Sequence, residues 1–351
     1  MQLLRFSLGV FASCRLPSYA PPMTGLRALV ADVGGTKIDF AICEAPRGVL
    51  TSDRIAFERV TRVASAEQSS FESAVAAFLD GLRVDVAVLA VAGPVVDGRS
   101  QLTNLPWLID RRSIAKQIGA PVDLINDFAA LGYAVPLLAE GDLLSLAKAP
   151  RRAGAPFAVI GAGTGLGQAA FLHADGKLQV LAGEGGHADF APRNELEVRL
   201  WRYLKGHRTR VTVEHVLSGQ GLASVYAFLR EESVAHDLRA PSPELIEPAE
   251  VTRLALEEPA RDPVARAALA HWLGIYGAEA GNLALRIVPE AGLYIAGGIA
   301  QKLGARLSAG ELMAAFLDKD PMRELLSRIP VDLITRPDAS LIGAFARALV
   351  I

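Results

Sequence analysis

Several short segments hold residue types suited to chemistry. Asn126-Asp127-Phe128 sets an amide and a carboxylate side by side, directly after the short strand expected over Val122 to Ile125. A carboxylate within reach of a hydroxyl can take its proton as the oxygen attacks phosphorus. The same aspartate would equally serve as a helix cap. Gly183-Glu184-Gly185-Gly186-His187-Ala188-Asp189-Phe190 exposes backbone between an acceptor and a donor–acceptor imidazole. Such groups suit a polyhydroxyl ligand, each of whose hydroxyls both donates and accepts; the alternative is a structural turn. Glu214 and Asn104 carry compatible chemistry, although a helix-start carboxylate and a loop amide are their ordinary uses.

Three glycine turns complete the set. In Asp32-Val33-Gly34-Gly35-Thr36 a carboxylate ends an apolar run, and two glycines free the following amides to form an anion-binding nest. The Thr36 hydroxyl adds a donor, and Asp32 suits a magnesium ion held through water. An empty hairpin turn is the plain alternative. Gly161-Ala162-Gly163-Thr164-Gly165-Leu166-Gly167 has more glycine than one tight turn requires. It lacks the Gly-Lys-Ser/Thr of a Walker loop, and Leu166 stands at the third glycine of a dinucleotide fingerprint. A hairpin tip wrapped around phosphate fits it, as does a flexible loop. Gly297-Gly298 closes the strand-like run Leu293 to Ala296, either to contact a nucleotide or to let strand and helix pack closely.

These segments need elements to hold them. Leu26 to Ala31 and the alternating run Ile38, Phe40, Ile42 predict a hairpin about Gly34-Gly35. Helical spacing marks Phe71 to Leu82, Asn194 to Leu204 and the long stretch Pro263 to Val288. Val84 to Ala92 reads as a strand buried on both faces. Asp110 and Gly119 bracket a helix over Arg111 to Ile118. Phe157 to Ile160 and Ala169 to Leu172 predict a second hairpin. Ser233 to Glu250 reads mostly as loop, Ile299 to Leu307 as a helix, and Leu341 to Val350 as a last helix folding back on the amino-terminal half. Each half thus opens with strand, glycine turn and strand, which suggests two related α/β domains.

The 351 residues are 51% hydrophobic and 21% charged, with a net charge of -2. That balance speaks against a nucleic-acid binder with a basic face. No apolar run approaches the roughly 18–20 residues that span a bilayer, so no membrane is expected. Cys14 and Cys43 are too few for a disulfide framework or a thiolate zinc site, and a reduced cytosolic pair is expected. Phe6 to Cys14 is a short apolar stretch with no small-x-small cleavage site after it. Folding is expected to begin near Met23, with residues 1–22 a disordered extension.

Together the motifs resemble the hexokinase–actin ATPase superfamily. Asp32 to Thr36 looks like its first phosphate motif, Gly161 to Gly167 like the second and Ala296 to Ile299 like the adenosine motif, in that order along the chain. From about Leu26 onward the chain resembles the bacterial glucokinase family through Asn126-Asp127-Phe128, Gly161 to Gly167, Gly183 to Pro192, and Glu214 with Val216 to Gly219. Lys37 departs from the asparagine that often follows the first motif.

The resemblance implies a two-domain actin-like ATPase (ribonuclease H-like) fold with an interdomain cleft. The smaller domain would hold residues 23–136 and 329–351, the larger residues 137–328. It implies phosphorylation of glucose by ATP with Mg²⁺, in the cytoplasm, and a homodimer. Asp127 would be the base. Asn104, Asn126, Asp127, Glu184, His187 and Glu214 would contact the sugar. Asp32, Gly34, Gly35, Thr36, Gly161, Gly163, Thr164, Gly165, Gly297 and Gly298 would contact the nucleotide or its metal. The related repressor–kinase family carries a cysteine-rich zinc segment that Ala188 to Arg199 lacks, so no zinc is expected. Gly281-Asn282-Leu283-Ala284-Leu285 would pack near the nucleotide side. The rivals are a kinase for another hexose, a silent sugar sensor and a filament subunit.

Overall fold

The structure, a computed structural model, describes residues 25–44, 50–102, 105–234, 246–257 and 262–351. The expected extension 1–22, Cys14 and Asn104 lie outside the described residues.

The first half forms strands β1 (Arg27–Val33), β2 (Lys37–Glu44), β3 (Phe57–Ala64), β4 (Val86–Val91), β5 (Arg99–Gln101), β6 (Leu108–Asp110) and β7 (Val122–Asn126). Helices α1 (Phe71–Leu79), α2 (Arg111–Ile118) and α3 (Asp127–Ala134) lie between or after them. The second half contains β8 (Leu143–Ala147), β9 (Phe157–Ala162), β10 (Leu166–Ala174), β11 (Lys177–Gly183), β12 (Gly292–Ala296) and β13 (Val331–Ile334). Its helices are α4 (Glu195–Lys205), α5 (Gly219–Val234), α6 (Pro248–Leu256), α7 (Pro263–Ile287), α8 (Gly298–Leu303), α9 (Glu311–Leu317) and α10 (Arg323–Ser327), and α11 (Ala339–Ala348) follows β13.

The two main sheets repeat one plan. One runs β3-β2-β1-β4-β7, the other β11-β10-β9-β12-β13 with β8 added at the edge. In each, the first three strands form an antiparallel meander and the last two run parallel to the first. The duplication suggested by two glycine hairpins is therefore a duplication of topology.

Side-chain alternation assigns the faces. Ile38, Phe40 and Ile42 of β2 point into one core with Phe71, Phe78 and Leu89. Phe40 stacks on Phe78 with ring centroids 5.0 Å apart. Ala41 and Cys43 point the other way, into a core shared by both halves, with Val30, Tyr133, Phe157, Phe171 and Phe345. The final helix α11 packs there against α3, β1 and β4, as expected of a returning helix. A third core fills the second half around Trp272, Tyr276, Leu200 and Phe316.

The segment after the expected boundary at residue 329 begins with a strand. Val331–Ile334 pairs in parallel with β12, Leu293 opposite Val331, so this segment belongs to the second sheet and the chain crosses back only after Ile334. Asp332 interrupts its apolar pattern and hides the strand from periodicity; it is buried and ion-paired with Arg151. Helix α5 was also illegible, because its Gly-Gln-Gly start reads as loop and its moment is spread by burial of Leu222, Val225, Tyr226 and Phe228. Helix α6 begins at Pro248, inside the stretch read as loop, with proline at its permitted first position. Strands β8 and β11 had no sequence signal strong enough to predict them. Among the described residues, no helix is long and apolar enough to cross a membrane.

Candidate active site

The carboxyl-terminal ends of parallel strands are where open α/β sheets bind ligands. Asp32 lies at that end of β1 and Asn126 at that end of β7, while Ala162 and Ala296 end the adjacent strands β9 and β12 of the second sheet.

Asn126, rather than Asp127, caps α3. Its Oδ1 accepts from Phe128 N at 2.9 Å and Ala129 N at 3.3 Å, while its Nδ2 donates to Gly93 O at 3.2 Å. The cap orients the first turn and keeps Asp127 at the sheet edge. The Asp127 carboxylate accepts from Phe128 N at 2.9 Å. Burial, then the charges of Asp32 and Glu184, push its carboxyl up to about 7. Asp32 is pushed up to about 6, first by burial and then by Asp39, against opposing pulls from Lys37, the Ser340 hydroxyl and Arg62. Asp127 on α3 therefore lies in the field of carboxylates from β1 and from the glycine-rich segment after β11.

The first glycine turn is a closed hairpin. Gly34 N donates to Lys37 O at 2.9 Å, and Ser65 ties both sides of the turn: its Oγ donates to Gly34 O at 3.0 Å and its N to Thr36 O at 3.0 Å. Ser65 is buried, and nothing in the sequence pointed to it. Gly35 lies within this turn, and Thr36 is exposed.

The second glycine run divides into two jobs. Gly161 and Gly167 face each other across β9 and β10. A Cβ on either would strike the Phe128 ring, at 2.9 and 1.9 Å. They make room for the helix that carries Asp127, a use distinct from the phosphate contact expected of Gly161. Gly163, Thr164 and Gly165 form the tip, where Gly163 N donates to Gly165 O at 2.8 Å and Thr164 is exposed. Gly163 O accepts from Gly219 N at 2.8 Å, and Ala296 stands opposite Gly161, so the tip, the start of α5 and Gly297-Gly298 meet. Gly297 has φ of +95°, and Gly298 opens α8 with no atom near its missing Cβ.

The Glu184 segment is zipped to residues 211–214, where Thr212 bridges Asp189 and Glu214 begins a turn. Glu214 N donates to Gly186 O and Val213 N to Ala188 O, both at 2.9 Å. Arg210 brackets the same segment by donating to the His187 carbonyl and the Asp189 carboxylate. Its spacing gave no sign of this role. Glu214 turns back to accept Leu166 N at 2.8 Å. His187 acts electrostatically on His215, which is held below its usual range mainly by burial and by Arg208. Glu184, His187 and Glu214, dispersed in sequence, thus share one wall.

A family profile described as Glucokinase matches residues 29–350. The chain belongs to the glucokinase family. A glucokinase of Nostoc sp. is 43% identical over 279 residues, covering 74% of this chain and 80% of that one. A glucokinase of Synechocystis sp. is 39% identical over 352 residues, covering 91% and 97%. The crystal structure of a glucokinase from an Antarctic psychrotroph matches with a TM-score of 0.77 at 30% identity, over 92% of this chain and 98% of that one. A ROK family glucokinase from Streptomyces griseus, in complex with glucose and AMPPNP, shares the fold at a TM-score of 0.63 and 21% identity, over 92% and 99%. The fold is the actin-like ATPase fold expected from the motifs.

Membership in the glucokinase family gives the metal question a definite form. Among the described residues no three His, Cys, Asp or Glu side chains cluster as a cage. Beside the first glycine turn Asp32 offers one carboxylate, whose ionisation is opposed by burial and by Asp39. That donor set fits a magnesium ion held chiefly by water and phosphate oxygens, with Asp32 as its protein anchor.

Proposed function

We infer that this glucokinase-family chain transfers the terminal phosphate of ATP to the C6 hydroxyl of glucose. The observation that carries the reading is the position of Asp127 in the field of both Asp32 and Glu184. Asp32 adjoins the first phosphate turn, and Glu184 belongs to the polyhydroxyl-binding segment.

Glu184, His187 and Glu214 hydrogen-bond the sugar hydroxyls and Asn126 steadies the strand end beside them. Asp127 accepts from the C6 hydroxyl, orients it and takes its proton as the oxygen bonds to phosphorus. A carboxyl with a pKa of about 7 is ionised in a large fraction of molecules near neutrality and is basic enough to hold that proton. The transition state of phosphoryl transfer is loose, so orientation matters at least as much as basicity. Amides of Gly34 to Thr36, the Gly163 to Gly165 tip and Gly297-Gly298 cradle the nucleotide. Mg²⁺, when bound beside Asp32, would offset charge on the transferring phosphate. Closure of the two halves around sugar excludes water and limits hydrolysis of ATP. ATP use assigns the work to the cytoplasm.

The test is ADP formation with ATP and Mg²⁺ over glucose, fructose, mannose and glucosamine, with Asp127→Ala alongside. Glucose-dependent turnover that collapses in the variant is expected. Turnover on another hexose alone would overturn the substrate, and binding without turnover would make the chain a sensor.

A further inference from the structure

Behind the Glu184 wall runs a buried polar chain that the proposed reaction leaves unused. Gln168 on β10 and Glu279 on α7 are 5% and 4% exposed. Gln168 Nε2 donates to Glu279 Oε1 at 2.9 Å, and Asn282 Nδ2 donates to Glu279 Oε2 at 2.9 Å. Lys319 Nζ donates to Asn282 Oδ1 at 2.7 Å, and the Arg286 guanidinium lies 3.7 Å from Glu279. Asn282, from the segment expected to pack near the nucleotide side, is the middle link of this chain.

Each link has a direction. An ionised carboxylate only accepts, so Gln168 must turn its NH₂ toward Glu279 and its carbonyl oxygen the other way. That oxygen lies against Gly185: a Cβ there would stand 2.2 Å from it. Gln168 is also the cross-strand partner of Gly183. Its side-chain amide therefore packs against Gly185 while its backbone pairs with Gly183, so the residue holds the chain on both sides of Glu184. Burying a carboxylate is costly unless its partners are well placed, and here they are joined to the wall that faces the sugar.

We propose that Glu279 is a positioning residue for the hexose-binding segment 184–187, acting through the orientation of the Gln168 amide, with Asn282 and Lys319 completing its charge and hydrogen bonding. The proposal rests on the reading of Glu184 and His187 as hexose contacts. With Glu279→Gln, the new amide puts a donor where an acceptor stood, so either it or Gln168 turns over. Adding Asn282→Asp restores an acceptor facing the new amide and an anion facing Lys319, which returns Gln168 to its native orientation.

The experiment is a two-substrate rate matrix with glucose and ATP, beside thermal unfolding, for the wild type, Glu279→Gln, Gln168→Met and Glu279→Gln/Asn282→Asp. Both single variants should raise the glucose KM about tenfold and leave the ATP KM within about twofold. The double variant should return the glucose KM to within about threefold of wild type. A glucose KM that stays within twofold in Gln168→Met, equal rises in both KM values, or failure of the double variant to relieve Glu279→Gln would each overturn the proposal. Should Glu279→Gln not fold, Gln168→Met and the double variant decide the matter on the same criteria. A wild type inactive on glucose sinks the functional reading itself, whereas an active wild type with unmoved variants sinks only the positioning role.

Discussion

The main-chain N–H of Leu166 donates to the Glu214 carboxylate across 2.8 Å, tying Glu214, a proposed sugar contact, to the tip of the second glycine hairpin. A Cβ on Gly165 would lie 2.4 Å from that same carboxylate oxygen. Gly165→Ala must therefore push Glu214 away and reshape the tip together. Both the glucose KM and the ATP KM should rise, each by about tenfold or more, in a two-substrate rate matrix. A change confined to ATP would separate the two sites.

Removing the carboxylate of Asp127 tests the chemical step by itself. Asp127→Ala should lower kcat by roughly 10²–10⁴. Glucose affinity measured at equilibrium should change far less, because Glu184, His187 and Glu214 remain. Loss of glucose binding in step with kcat would make Asp127 a binding residue instead.

The pH dependence follows from the raised carboxyls. Asp127 acts ionised and titrates at about 7, so kcat/KM should climb as pH rises through that value. Stability runs the other way. A carboxyl raised in the folded state binds more protons there than when unfolded, so its contribution is full in acid and lost as pH rises through the folded value. Asp127→Asn should therefore unfold at a higher temperature than the wild type at pH 8, and the gap should shrink toward pH 4. Scanning calorimetry at the two pH values checks it; a gap that widens in acid would contradict the assignment.

Magnesium dependence should single out Asp32. Excess chelator should stop turnover and added Mg²⁺ should restore it. In Asp32→Ala the Mg²⁺ concentration for half-maximal rate should rise about tenfold or more, with the glucose KM little altered. An unchanged Mg²⁺ requirement would remove Asp32 as the anchor.

Helix crossing sets a stability prediction. A Cβ on Gly343 of α11 would fall 1.7 Å from Ala130 O of α3. Gly343→Ala should cost about 1–3 kcal/mol in urea unfolding, the range for overpacking. Because α3 begins with Asp127, kcat should fall as well.

Much of the architecture was legible because its signals are local. Alternation in Ile38, Phe40 and Ile42, the Asp110 and Gly119 brackets of α2, and the long pattern of α7 each follow from residues a few positions apart. The glycine turns and the carboxylates that flank them were legible as chemistry for the same reason, and their order along the chain carried the family. Where burial on all sides erased periodicity, as in α5, or a paired Asp332 broke it, as in β13, local reading failed.

What the sequence by itself determined was the set of chemical groups, most of the elements that bear them and the family to which they belong. Tertiary structure alone decided which groups meet. It assigned Gly161 and Gly167 to the Phe128 ring, made Asn126 the cap that frees Asp127, and linked Glu279 through Gln168 to the segment that carries Glu184. It also raised Asp127 to about 7, since desolvation and the fields of Asp32 and Glu184 depend on distance in space, which separation along the chain does not encode.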